Sequence, residues 1–175
     1  MVTGGWWTVV PTVPDDGTEP STLPGGRQVL PEPLRTCQHV QVESHLRHYR
    51  TGDVERVLDL TEDVAAWVSG RGDGLVHVFV PHATAGLAIL ETGAGSDDDL
   101  LAALGDLLPA DERWLHRHGS RGHGRSHVMP ALLPPYASVP VLGGRLALGT
   151  WQSICLVDLN VDNPEREVRF SFLAG

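Results

Sequence analysis

From Thr36 onward the chain alternates apolar and polar positions with the two periods that strands and helices require. The last segment, Glu167–Leu173, sets Val168, Phe170 and Phe172 two residues apart, which predicts a strand buried on one face. Leu75–Val80 reads as another strand, an apolar run bounded by Gly72-Asp73-Gly74 and Pro81. Leu87–Glu91 follows it across the loop His82-Ala83-Thr84-Ala85-Gly86, in what reads as a hairpin-like connection that brings Glu91 near His82. Nearer the start, Gln38–Glu43 and His45–Arg50 predict two strands. Leu58 to Thr61 leads into a short helix near Glu62–Val68, with Thr61 as its N-cap. The clearest helix is Asp97–Leu108, where Leu100, Leu101, Leu104, Leu107 and Leu108 form one stripe behind three aspartates that suit the first turn. Val139–Leu142 and Arg145–Leu148 flank Gly143-Gly144, a hairpin signal, and Trp151–Leu159 continues the sheet. The prediction is one compact α+β domain: a largely antiparallel sheet or sandwich with two or three short helices.

Residues 1–35 break this pattern. They hold six of the 13 prolines and no sustained period, so they are expected to form a Pro/Gly-rich extension without a packed core, set apart from a domain at 36–175. Trp6 and Trp7 are the exception in that stretch. Either they dock on the domain or translation starts downstream of Met1.

Charge narrows the field of partners. With 13 basic residues, all arginine, against 22 acidic ones, the net charge of −9 repels a phosphate backbone, so nucleic acid is not expected. No apolar run reaches the roughly 18 residues of a membrane span, and no signal-peptide pattern opens the chain; no membrane partner and a cytoplasmic location are expected. Cys37 and Cys155 form no framework and read as buried free thiols.

The candidate chemistry lies in histidines. Four of the nine, His116, His118, His123 and His127, fall within a Gly-rich stretch that also carries Arg117, Arg121 and Arg125. A long loop of this kind inside a compact domain is functional or disordered. His82 follows an apolar strand that can aim it into a cleft, whereas His77 has the opposite parity and points to the other face. Imidazoles from separate segments with a carboxylate such as Glu91 suit Zn²⁺ or a similar divalent ion, although no local zinc signature is present. Without a metal, the cluster reads as an anion site completed by Arg121 and Arg125. Gly149-Thr150-Trp151-Gln152 is either a buried core tryptophan with its neighbours or the wall of a binding site. Dinucleotide, P-loop and nucleophile-elbow motifs are missing from the chain.

These features together resemble the YjbQ-like family, also called the secondary thiamine-phosphate synthase family. The resemblance rests on GLVHVFVPHATAGLAILE, DDDLLAAL followed by LLP, WLH, a later SH, and VPVLGGRLALGTWQSICLVDL, and it spans about residues 36–175. It implies a homotrimer with a histidine site between subunits. It also implies an enzyme that condenses a pyrimidinylmethyl diphosphate with a thiazole phosphate, small phosphorylated heterocycles being the ligands. Carried over by position, His82, His116 and His127 are the metal ligands, zinc being the expected ion; Glu91 and, less securely aligned, Asp99 are the catalytic carboxylates. Thr84, Arg121, Arg125, Trp151 and Gln152 are the expected substrate-binding residues. Ala83 replaces the family's usual threonine, and His123 stands where asparagine is common, adding a titratable group or an extra ligand. A metal-dependent enzyme of another reaction and a non-catalytic metal- or ligand-binding protein remain open alternatives.

The composition break at Thr36 makes a direct prediction. Deleting residues 1–35 is expected to leave fold and assembly intact in thermal unfolding; a loss of several kcal/mol, on the order of what two buried tryptophans contribute, would mean that Trp6 and Trp7 pack on the domain.

Overall fold

A computed structural model describes residues 41–175 of the chain. Trp6, Trp7, Cys37 and the first residues of the predicted 38–43 strand lie outside the described residues. Eight strands form two antiparallel sheets. The larger has the order β1 (Val42–Arg50), β8 (Glu165–Ala174), β3 (Gly74–Phe79), β5 (Tyr136–Leu142), β6 (Arg145–Leu146). The smaller has the order β2 (Arg56–Asp59), β7 (Ser153–Asp158), β4 (Ala85–Leu90). Helices α1 (Thr61–Val68), α2 (Ser96–Leu107) and α3 (Gly124–Val128) complete the domain, with a 3-10 turn at Met129–Ala131. The fold is the predicted α+β class.

Alternation sets the layers. In β8, Val168, Phe170 and Phe172 point inward and meet Val76 and Val78 of β3, Val139 and Val141 of β5, and Val64 and Val68 of α1. Each fully buried side chain of this size contributes about 1.5–3 kcal/mol. β7 is buried on both faces: Ile154 and Leu156 join this core, while Val157 joins a second one with Leu104, Leu108, Met129 and Leu159. That explains why its sequence is a continuous apolar run instead of an alternating one. α2 uses only part of its stripe, since Leu104 is buried and Leu107 is 64% exposed. Among the described residues no helix is long and apolar enough to cross a membrane.

Several local expectations are corrected. β1 is one nine-residue strand, because the ladder with β8 runs unbroken through Ser44, whose hydroxyl meets that of Ser171 at 2.9 Å. Thr61 is the first helical residue and not the N-cap; its hydroxyl accepts the Ile154 N–H at 2.9 Å, and Asp59 Oδ1 takes the Thr61 N–H at 2.8 Å. β3 and β4 do not form a hairpin. Both edges of β3 are occupied by β8 and β5, so the chain crosses to the smaller sheet, where Gly86 passes so close to the Leu133 carbonyl that a Cβ would sit 2.2 Å from it.

The junction between the sheets is held by a buried ion pair. Arg166 donates from Nε to Asp158 Oδ2 at 2.7 Å and from a terminal nitrogen to Oδ1 at 2.9 Å, with neither side chain exposed. The Thr51 hydroxyl and the Asn160 N–H also donate to Asp158, at 2.7 and 2.9 Å. Arg166 and Asn160 Nδ2 both donate to Thr84 Oγ1, each at 3.2 Å. A charge pair without water survives only when its remaining hydrogen-bonding capacity is met, and here the neighbours meet it. Arg166→Met leaves Asp158 buried and uncompensated, so urea unfolding is expected to show a loss of about 3–5 kcal/mol, whereas a loss below about 1 kcal/mol would show that the pair does not hold the junction.

Candidate metal centre

The site is built from the end of α2. Pro109 stops the helix, and the Arg125 guanidinium donates to the helix-end carbonyl of Leu108 at 2.8 Å while pairing with Glu55. Arg125 is 4% exposed, so this buried contact ties α3 to α2. Trp114 donates from its indole N–H to the Pro109 carbonyl at 2.8 Å and packs on the second core. Gly124 lets α3 lie against this turn: a Cβ there would meet Trp114 Cβ at 2.6 Å and the His116 carbonyl at 2.7 Å. The segment 114–128 is thereby folded back on itself.

This folding gathers the four histidines. His123 and His127 stand one helical turn apart, on the same face, and their Nε2 atoms are 3.0 Å from each other. His116 and His118 come from the preceding loop, with ring centroids 4.1 Å apart, and His116 lies 4.1 Å from His127. One ring nitrogen from each of the four falls within 4.8 Å of all the others. Asp162, in the turn between β7 and β8, accepts the His123 Nδ1 proton at 2.5 Å, and on the same oxygen the N–H and hydroxyl of Ser120 at 3.0 and 3.1 Å. The Ser120 N–H, ahead of the His123 contact, holds the Asp162 carboxyl below its usual range. Partial desolvation by adjacent groups, ahead of the neighbouring imidazoles, holds the exposed His116 and the half-buried His127 below the ordinary histidine value. Both effects favour neutral rings beside an anionic carboxylate, the protonation state in which imidazoles bind metals.

A cavity of about 230 Å³ opens beside the cluster, lined by His116, His123, Arg117, Arg121 and the acidic Asp111 and Glu112. Arg121 is exposed, 3.6 Å from Glu112. Of the expected ligands, His116 and His127 are together, joined by His118 and His123. His82 is not in that group: its Nε2 accepts the Glu167 N–H at 2.8 Å, and burial, followed by the Arg166 charge, lowers its pKa. Glu91 is exposed just past the far end of β4, about 17 Å of extended strand from the His82 loop. Asp99 is exposed on α2. Thr84 Oγ1 accepts from Arg166 and Asn160 in the buried network, and Arg125 donates to Leu108 and pairs with Glu55; both are buried, and neither lines the cavity beside the histidines. Trp151 is 72% exposed, which removes the core-tryptophan reading. Gln152 accepts the Gly149 N–H at 2.8 Å and lines a separate cavity of about 370 Å³ with Thr61, Ala65, Arg145 and Leu148. Asp162 was not foreseen; its only signal was the turn-forming string Asn160-Val161-Asp162-Asn163-Pro164.

Comparison with known proteins assigns the chain to a family. The family model described as UPF0047 protein YjbQ-like matches residues 45–175. The chain belongs to the YjbQ-like UPF0047 family. A UPF0047 protein of Mycobacterium tuberculosis is 60% identical over 120 residues, covering 69% of this chain and 90% of that protein. A UPF0047 protein of Archaeoglobus fulgidus is 33% identical over 119 residues, covering 68% of this chain and 93% of the relative. Among solved structures, a YbjQ-like protein of unknown function from Sulfolobus solfataricus superposes with a TM-score of 0.72 at 27% identity, over 78% of this chain and all of that one. A hypothetical protein from Aeropyrum pernix gives 0.68 at 32% identity, over 76% and 99%.

Proposed function

We propose that this YjbQ-like protein binds one divalent transition metal, zinc foremost, through His116, His118, His123 and His127. The observation that carries this is the convergence of four ring nitrogens within 4.8 Å. Zinc–nitrogen bonds of about 2.0–2.1 Å set the nitrogens of a tetrahedral site about 3.3–3.4 Å apart, and the exposed loop rings of His116 and His118 reach that spacing by side-chain rotation. An all-imidazole set suits zinc, nickel, copper or cobalt, and does not suit the oxygen-seeking magnesium and calcium.

A bound ion would supply positive charge to a phosphate oxygen. Arg117 and Arg121, at the adjoining cavity, are placed to bind the same anion through their guanidinium forks. This favours a small phosphorylated molecule as the ligand. The condensation of a pyrimidinylmethyl diphosphate with a thiazole phosphate, which the family resemblance implies, needs such stabilisation of the departing diphosphate.

The proposal extends to assembly as a homotrimer. The outer face of the larger sheet carries Val42, Leu75, Phe79, Tyr136 and Leu142, each 37–60% exposed, and no described element covers it. Exposed apolar side chains in this number, among polar neighbours such as His77, Glu167 and Arg169 on the same face, suit contact between subunits. Light scattering is expected to give three times the 18.9 kDa chain mass; a monomer at micromolar concentration would end this part of the reading.

Metal analysis of the freshly purified protein is expected to find close to one zinc per chain. Alanine at His116, His118, His123 or His127 is expected to weaken binding by at least about tenfold, while His82→Ala retains the metal. His116 and His127 are held below the ordinary histidine value, so these two ligands stay neutral to lower pH than a free imidazole, and affinity is expected to fall as acidification protonates the ligand set. A wild type that never takes up zinc, cobalt or nickel would overturn the assignment. With the loaded protein, formation of thiamine phosphate from the two phosphorylated precursors tests the finer reading.

A further inference from the structure

We propose that Asp162 is the positioning residue of the histidine centre: it keeps the proton of His123 on Nδ1, so that the Nε2 lone pair is the atom offered to the metal. The inference rests on the metal reading above, and adds to it a residue from outside the loop and its route into the core.

His123 is largely enclosed, with 7% of its side chain exposed. Both of its nitrogens are committed. Nδ1 lies 2.5 Å from Asp162 Oδ2, and a carboxylate only accepts, so Nδ1 is the donor. Nε2 faces His127 Nε2 at 3.0 Å. Free imidazole favours the opposite tautomer, with the proton on Nε2, so the Asp162 contact reverses the intrinsic preference. A ring whose second nitrogen donates to a carboxylate is fixed in orientation and is a stronger donor to a metal.

Three features make Asp162 a built element. Its Oδ2 also takes the two Ser120 donors, which pins the loop to the same atom that orients the ring. Gly119, at φ +80°, makes room for the contact: a Cβ there would stand 2.6 Å from Asp162 Oδ2 and 2.7 Å from His123 Nδ1. Asp162 is itself held from behind. Its N–H donates to Asn160 Oδ1 at 2.9 Å, and Asn160 is bonded to Asp158 and Thr84 in the buried network. The chain Asp158, Asn160, Asp162, His123 therefore runs from the sheet junction to the metal-binding nitrogen, through hydrogen bonds and a short turn. A surface carboxylate that met His123 by chance would have no such support.

Histidine tautomers are read directly from long-range ¹H–¹⁵N spectra, so the test needs no activity. In metal-free wild type above pH 8, the signal lost in His123→Ala is expected to show a protonated Nδ1 and an unprotonated Nε2. Ser120→Ala, which removes one donor without touching His123, should keep that pattern. Asp162→Ala should convert His123 to the Nε2–H form and weaken zinc binding 10- to 100-fold. Asp162→Asn, whose amide oxygen still accepts, should keep the tautomer and lose less affinity than the alanine variant; it carries the affinity comparison if Asp162→Ala does not fold. A wild-type His123 in the Nε2–H form, an Asp162→Ala protein that keeps the wild-type tautomer, or an Asp162→Asn protein that shifts it would overturn the role of Asp162. A correct tautomer in a protein that binds no metal would count against the metal reading alone.

Discussion

Asp158 and Arg166 meet as a doubly hydrogen-bonded ion pair with no solvent contact, at the point where β7 of the small sheet turns into β8 of the large one. Several long-range contacts converge on this junction. Thr51 reaches it from the end of β1, Thr84 from the crossover between β3 and β4, and Asn160 from the turn that carries Asp162. Separating two charges from water is unfavourable by several kcal/mol per ion before pairing. The bidentate geometry and the polar neighbours offset that penalty only in one arrangement of the four chain segments. The pair acts as a specification of how the sheets join, more than as a source of net stability.

The histidine loop depends on the same junction from a distance. A 12-residue stretch with four imidazoles and three arginines has no apolar periodicity to organise it. It is ordered from its two ends: Arg125 and Trp114 fasten it to the last turn of α2, and Asp162 fastens Ser120 and His123. Glycines at 119, 122 and 124 lie where side chains would strike the neighbouring backbone or ring, so the closeness of the histidines follows from what these positions omit.

Much of the fold was legible because its strongest segments obey one period each. β8, β3, α2 and the Gly143-Gly144 hairpin are found within about two residues of where alternation and turn chemistry put them. The placement of β4 was not legible: local pattern says that a strand follows β3, but which sheet it joins is decided by β7, some sixty residues later. Burial of Arg125 and Thr84 escaped for a related reason, since polar residue types read as exposed until their partners, Glu55, Leu108 and Arg166, are known. The histidine grouping was half legible. Density in sequence marked His116, His118, His123 and His127, while a place directly after an apolar strand and the family resemblance pointed to His82, whose Nε2 accepts the Glu167 N–H apart from that group.

Charge explains why such a cluster is compatible with an acidic protein. The net charge of −9 attracts divalent cations at long range, which raises their local concentration at any site of neutral donors. Fields between exposed charges fade beyond about 8 Å at physiological salt. Within that distance of the cavity stand the guanidinium groups of Arg117 and Arg121, the histidine cluster and the acids Asp111 and Glu112. Loading the imidazoles with a divalent ion would turn this mixed surface locally positive without altering the repulsion of extended polyanions by the rest of the protein. On the proposed reading such an arrangement would discriminate by size: a small phosphate-bearing ligand would feel mainly the cavity, and a nucleic acid the whole acidic surface.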